Sequence, residues 1–173
     1  YGQQFKLALP FGRYSISIYR ADPRSCRGTL LRDQPFTLRA APSLTVLARL
    51  VFVRLPTGRL IRIHALEGWA TDLSGTAGKA ALVVRDTTTR RPGDLFDVWI
   101  NGGVRPVVAE IGSTGMIPLT QSVYSWWLSA PRSYRPVIGP AIKWLRSGMV
   151  YQVYAVGTNA RDFRFVVVAA PGT

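Results

Sequence analysis

Cysteine is almost absent from this chain: among 173 residues only Cys26 occurs. That excludes an intrachain disulfide. Histidine is as scarce, with His64 alone. One histidine and one cysteine are too few for a zinc site, and a Ser-His-Asp triad would have to be built on His64. No Gly-x-Ser-x-Gly elbow accompanies it, and no phosphate-binding or dinucleotide glycine fingerprint is present. No apolar run approaches the length of about 18 residues that a membrane-spanning helix needs. The chain begins at Tyr1 rather than Met and shows no signal peptide, which predicts that something upstream has been removed or is not included in this sequence.

Acidic residues are also few, 9 against 22 basic ones, for a formal net charge of +13. Lysine contributes only Lys6, Lys79 and Lys143; the rest is arginine. An arginine bias accompanies a GC-rich genome, and it also suits a polyanionic partner, because guanidinium pairs with carboxylate, sulfate and phosphate. The arginines are spread along the whole chain. No basic run or recognition-helix pattern concentrates them, which argues against nucleic acid.

What is abundant is alternation with a period of two. Tyr14, Ile16 and Ile18 alternate with Ser15, Ser17 and Tyr19, as in a strand with one face on a core. Leu44–Val53 is a longer apolar, β-branched strand. Pro56-Thr57-Gly58 turns it into a strand over Leu60–Ala65. Thr71–Gly78 is small and polar and reads as a linker. Beyond it, strands are expected at Ala80–Val84, Leu95–Ile100, Arg105–Ile111, Val123–Leu128, Ala141–Leu145, Val150–Val156 and Phe163–Ala169. Asn101-Gly102-Gly103 is a tight-turn signal, Thr87–Asp94 is a polar loop, and Asn159–Asp162 closes the last hairpin. Ala141–Arg146 is the only segment with a helical option, and Pro140 and Gly148 leave room for barely one turn. Short strands separated by turn signals indicate a sandwich or barrel.

The two halves overlay as a repeat. Leu9 and Tyr14 correspond to Leu119 and Tyr124, and Leu44–Ala48 to Tyr151–Ala155. The offset shortens by a few residues, as a loop difference near Pro23–Gly28 would cause. Gly78–Glu110, the opening of the second half, has no counterpart in the first. The expectation is two tandem sandwich units, 1–77 and 78–173, with the first lacking its opening strands. Such a unit exposes unpaired backbone and an apolar cleft. Upstream sequence or another chain would have to fill it.

These motifs resemble a family of bacterial secreted domains known as domain of unknown function four-three-nine-seven. The likeness lies in Gly78-Lys79-Ala80, Leu82–Asp86 and Phe96-Asp97-Val98-Trp99-Ile100-Asn101-Gly102-Gly103. It continues in Leu9-Pro10-Phe11-Gly12-Arg13-Tyr14 and closes in Gly148–Gly157. It covers most of the chain. Arg85-Asp86 and Thr87 depart from the family's usual His-Ala pair and proline loop. Leu119–Tyr124 also lacks the expected Pro and Gly. The resemblance implies an immunoglobulin-like fold, tandem occurrence and export, and it implies no known chemistry.

Candidate side chains are then weighed on that frame. Asp94 and Asp97 lie close enough in sequence to suggest a carboxylate pair, and Asp86 with them a calcium site. Asp94 fits a turn beside Pro92-Gly93, Asp97 fits a strand residue pairing with arginine, and Arg90 and Arg91 oppose a cation. No catalytic, cofactor or metal residue is assigned. Adjacent Trp126 and Trp127 must point to opposite faces of a strand, one into the core and one toward solvent or an interface. Trp126, Trp127, Trp144 and Tyr134, with Arg90, Arg91, Tyr1 and Phe5, are the candidates for an interface or ligand surface. The expected function is that of a non-enzymatic extracellular or cell-surface protein with a structural or adhesive role, a homo-oligomer or filament subunit. The alternative is a module binding an acidic polysaccharide or cell-envelope polymer.

Overall fold

A computed structural model describes residues 9–22, 25–38, 43–74, 76, 78–88, 96–101, 103–106, 113–157 and 161–172. At 21–22, 25–27, 43, 49–52 and 103–106 it describes the backbone alone. The described chain is all-β. It divides into two compact units, Gln3–Asp72 and Leu73–Thr173.

The second unit is a sandwich of two four-stranded sheets. One sheet has the order β12-β11-β5-β8, from Arg164–Pro171, Met149–Val156, Ala80–Asp86 and Ile117–Leu119. The other has the order β10-β9-β6-β7, from Pro136–Leu145, Ser122–Ser129, Asp97–Ile100 and Gly103–Pro106. All neighbours are antiparallel except β5 and β11, which run parallel with Leu82 beside Tyr151 and Val84 beside Val153. Both are interior strands, and the uninterrupted apolar run Ala80–Val84 is what a strand covered on both faces needs. The core fills the space between the sheets. Leu82, Val84, Tyr151 and Val153 come from one side, and Val98, Tyr124, Trp126, Leu128, Ile138 and Leu145 from the other.

Local chemistry sets the turns. Ile100 pairs with Gly103, so the chain reverses between them, beginning at Asn101. Asn101 takes the left-handed conformation such a turn requires, at φ 47°. Its side-chain oxygen accepts the Ser125 N–H at 2.9 Å, and its own N–H reaches the Ser125 carbonyl at 2.9 Å. The turn is thereby tied to β9. On β10, Gly139 has φ 92°, and a Cβ there would lie 3.0 Å from the Phe165 ring and from the Trp126 carbonyl oxygen. Only glycine lets the strand pass that close.

The first unit contains two hairpins. β1 (Gly12–Asp22) pairs antiparallel with β2 (Ser25–Leu38), and β3 (Ser43–Arg54) with β4 (Leu60–Thr71). Sequence reading overlooks the short β8 and one long strand, β2. Gly28, Asp33 and Pro35 break its pattern, but a two-stranded sheet consists only of edges, where proline is tolerated. Pro35 sits opposite Ser15. The helical option at Ala141–Arg146 is not taken: Ala141–Leu145 is the end of β10, held by β9.

The repeat extends to register. Tyr14 faces Phe36 as its counterpart Tyr124 faces Lys143, and Ile16 faces Gln34 as Trp126 faces Ala141. Leu44 faces Ala70 as Tyr151 faces Ala169. Thus β1–β4 reproduce the pairing of β9–β12. What differs is burial. Tyr124, Trp126, Leu128, Leu145, Tyr151 and Val153 are buried, whereas Tyr14, Ile16, Ile18, Leu38, Leu44 and Val46 are only half-buried. The apolar residues that β5 and β6 add to the second core have no equivalent among the described residues of the first unit.

This difference has an energetic consequence. Leu128→Ala removes a fully buried side chain and is expected to cost about 2–5 kcal/mol. Ile18→Ala, at the matching position, should cost less than half as much. Urea unfolding of the two variants checks the inequality.

Candidate functional site

Two surfaces collect the chemistry of this chain. The first is the pair of open strand edges in the first unit. In the second unit, the inner edge of β9 is occupied by β6 and that of β11 by β5. Their counterparts β1 and β3 each pair with one strand only, β2 and β4, among the described residues. The β1–β2 hairpin is braced from within. Tyr14 stacks on Phe36 at 5.6 Å between ring centroids, and its hydroxyl donates to the Pro10 carbonyl at 2.6 Å. On the opposite face Asp33 accepts hydrogen bonds from Ser15 Oγ at 2.6 Å and Ser17 Oγ at 2.7 Å. These bonds hold the carboxyl of Asp33 below its ordinary value, Ser15 contributing most.

The second surface is the outer face of the sheet β10-β9-β6-β7. Strand alternation sends Tyr124, Trp126 and Leu128 inward and Val123, Ser125 and Trp127 outward. Trp99 of β6 lies directly across from Trp127, with the two rings nearly parallel at 6.0 Å. Tyr134, from the turn between β9 and β10, meets both rings edge-on, at 4.9 Å from Trp99 and 5.3 Å from Trp127. Trp99 Nε1 donates to Ser129 Oγ at 2.8 Å, which sets its ring. Further along the same face Trp144 sits across from Val123 and Ile142 across from Ser125. All three apolar residues are exposed, Trp144 at 49%, Val123 at 50% and Ile142 at 71%.

Of the sequence-predicted residues, Trp127, Trp144 and Tyr134 therefore lie on one face, but only Trp144 and Tyr134 are open to solvent there; Trp127 is buried against Trp99 and Tyr134. Trp126 does not join them. It is fully buried and packs edge-on against Phe165 at 6.4 Å, because the residue next to an outward Trp127 must point inward. It is a core residue and is withdrawn as a ligand candidate. Tyr1, Phe5, Arg90, Arg91 and Asp94 lie outside the described residues. Sequence reading did not include Trp99, Val123 or Ile142 in this face, although period-two alternation and the Asn101 turn together place Trp99 beside β9.

The titratable groups serve the fold. Asp97 accepts the Arg132 N–H at 2.8 Å, and Asp86 accepts both the N–H and the hydroxyl of Thr88, at 3.0 and 2.7 Å. His64 is exposed on β4, opposite Leu50. On the outward face of β5 and β11, buried Arg85 donates to Tyr154 Oη at 3.2 Å and Gln152 Oε1 at 3.4 Å, while the Tyr154 hydroxyl donates to Gln152 Oε1 at 2.7 Å. The guanidinium also lies 5.4 Å from the centroid of the Tyr154 ring. Burial pushes the Arg85 pKa down, against the pull of Tyr154. Among the described residues no three His, Cys, Asp or Glu side chains converge to hold a metal ion. No helix is long and apolar enough to cross a membrane.

The Asp33 cluster has a signed pH dependence. A carboxyl depressed in the folded state stabilises the hairpin above the unfolded-state pKa, and that contribution is lost as pH falls through the folded pKa. In a carboxyl NMR titration Asp33 is expected to titrate below the ordinary aspartate range. Replacing both Ser15 and Ser17 by Ala should return it toward that range; an unchanged midpoint would contradict the assignment.

Compared with known proteins, the chain matches no protein-family model and no curated protein.

Proposed function

We propose that this chain is a non-enzymatic structural or adhesive protein of the cell exterior that works by association. In this reading a neighbouring subunit supplies extended strands that complete the first unit, as β5 and β6 complete the second. The observation that carries it is the repeated pairing register with unequal completion: β1–β4 share the register of β9–β12 at Tyr14, Ile16 and Leu44, yet among the described residues β1 and β3 each hold a strand on one side only.

The physical argument is stability. A two-stranded hairpin is marginal by itself, and a sheet edge is a template for another strand. The first unit has two such hairpins. Its inward row, Tyr14, Ile16, Ile18, Leu38, Leu44 and Val46, is only half-buried. Covering one such side chain fully contributes about 1.5–3 kcal/mol, so half-covered side chains leave a substantial part of that ungained. The second unit shows the geometry a donor would adopt: one strand parallel to β3 and one antiparallel to β1. Strand addition of this kind gives affinity through the main chain and specificity through alternate side chains. The exterior location and the immunoglobulin-like description rest on the resemblance of the motifs to exported tandem domains.

Sedimentation velocity over a wide concentration range is expected to show assemblies. Hydrogen exchange should show slowed amides on the open edges of β1 and β3, those not paired with β2 and β4, in the assembled state. A chain that stays monomeric at every concentration, with those amides exchanging freely, overturns the reading.

A further inference from the structure

The outer face of β10-β9-β6-β7 belongs to the second unit, whereas the strand edges of the association reading belong to the first. We propose that it binds an acidic polysaccharide chain, with Tyr134 and Trp144 as stacking rings and Arg132 and Arg135 as partners for its carboxylate or sulfate groups.

Four observations carry this. First, the apolar side chains form a row. Tyr134 caps Trp99 and Trp127 at one end, and Trp144 lies beside Val123 at the other. Trp127 and Val123 are four residues apart on one strand, about 13 Å. That spacing suits successive units of a polymer better than a single small molecule.

Second, the rings at both ends are open. Tyr134 is 62% exposed and Trp144 is 49% exposed. Aromatic faces with this exposure stack on the apolar C–H faces of sugars at little entropic cost, because few torsions are frozen.

Third, the turn that presents Tyr134 is built rather than loose. The Asp97 carboxylate accepts the Arg132 N–H, Ser133 N–H donates to the Ala130 carbonyl at 3.0 Å, and Arg135 N–H donates to Ser133 Oγ at 3.2 Å. Arg132 takes a left-handed conformation, φ 61°, within this turn. Asp97 spends its charge on the turn backbone, while the Arg132 and Arg135 side chains on either side of Tyr134 are exposed.

Fourth, charge selects the sign of the partner. Exposed Arg132 and Arg135 flank Tyr134 in sequence, and the whole chain carries +13. Rings with cations beside one of them favour a sugar polymer bearing anions over a neutral glucan.

The test uses the full chain with polygalacturonate as probe and neutral dextran as control, by affinity electrophoresis at rising salt. Retardation by polygalacturonate alone, weakening with salt, is expected. Tyr134→Ala and Trp144→Ala should each lower affinity about tenfold, equivalent to about 1.4 kcal/mol. Trp144 is half-exposed and makes no ring contact among the described residues, so its loss of affinity should come with an unchanged thermal unfolding midpoint. The double variant Arg132→Ala, Arg135→Ala should lower affinity and flatten the salt dependence. A control pair in the first unit, Arg13→Ala with Arg59→Ala, should leave affinity unchanged. Three results would overturn the proposal: no retardation, equal loss in the control pair, or aromatic variants that change only the oligomeric state. The last would make this face a contact between copies. Because strand completion is read by hydrogen exchange at β1 and β3, the two proposals fail separately.

Discussion

Two strand pairings, β5 on β11 and β6 on β9, separate a packed sandwich from a pair of hairpins in this protein. Each does two things at once. It satisfies the backbone groups along one edge of a long strand, and it brings a row of apolar side chains over the core. Where both pairings are present, Leu82, Val84, Val98 and Ile100 meet Tyr151, Val153, Leu128 and Trp126, and the matching positions are buried. Where they are lacking among the described residues, the same four-strand framework keeps its register but buries little beyond Leu66 and Thr71.

Because the two units share pairing partners, local hairpin chemistry sets register independently of the core. Turn signals and alternation bring β1 to β2 and β3 to β4 whether or not a second layer is present. The core requires contacts distant in sequence, such as Val84 against Val153. Unequal completion of two equivalent frameworks is therefore a physical possibility within one chain. It is also the basis for reading the molecule as a partner in an assembly.

The polar groups fit this picture. Asp97, Asp86 and Asn101 each bind backbone, and each fixes a turn that a strand pairing depends on. Arg85 is carried into a buried position on β5, where the Tyr154 ring and hydroxyl compensate it. The side chains that do face solvent together are aromatic and basic, the composition of a contact surface.

The residues alone were enough for the all-β class, for most strands and for the repeat, because period-two alternation and turn residues act over a few positions. They also settled that Trp126 and Trp127 must part company. They did not reveal β2, whose glycine and proline are tolerated only because its sheet has no interior. Nor did they say which of the two tryptophans faces out, since alternation determines opposition but not direction. Direction follows from which face of β9 meets the other sheet. Only the tertiary structure assembled Trp99, Trp127, Tyr134 and Trp144 on one face, since that requires three strands in register and a turn folded back onto β6. It also turned the missing opening strands from a sequence gap into two named edges, β1 and β3, because an edge exists only when its neighbours are known.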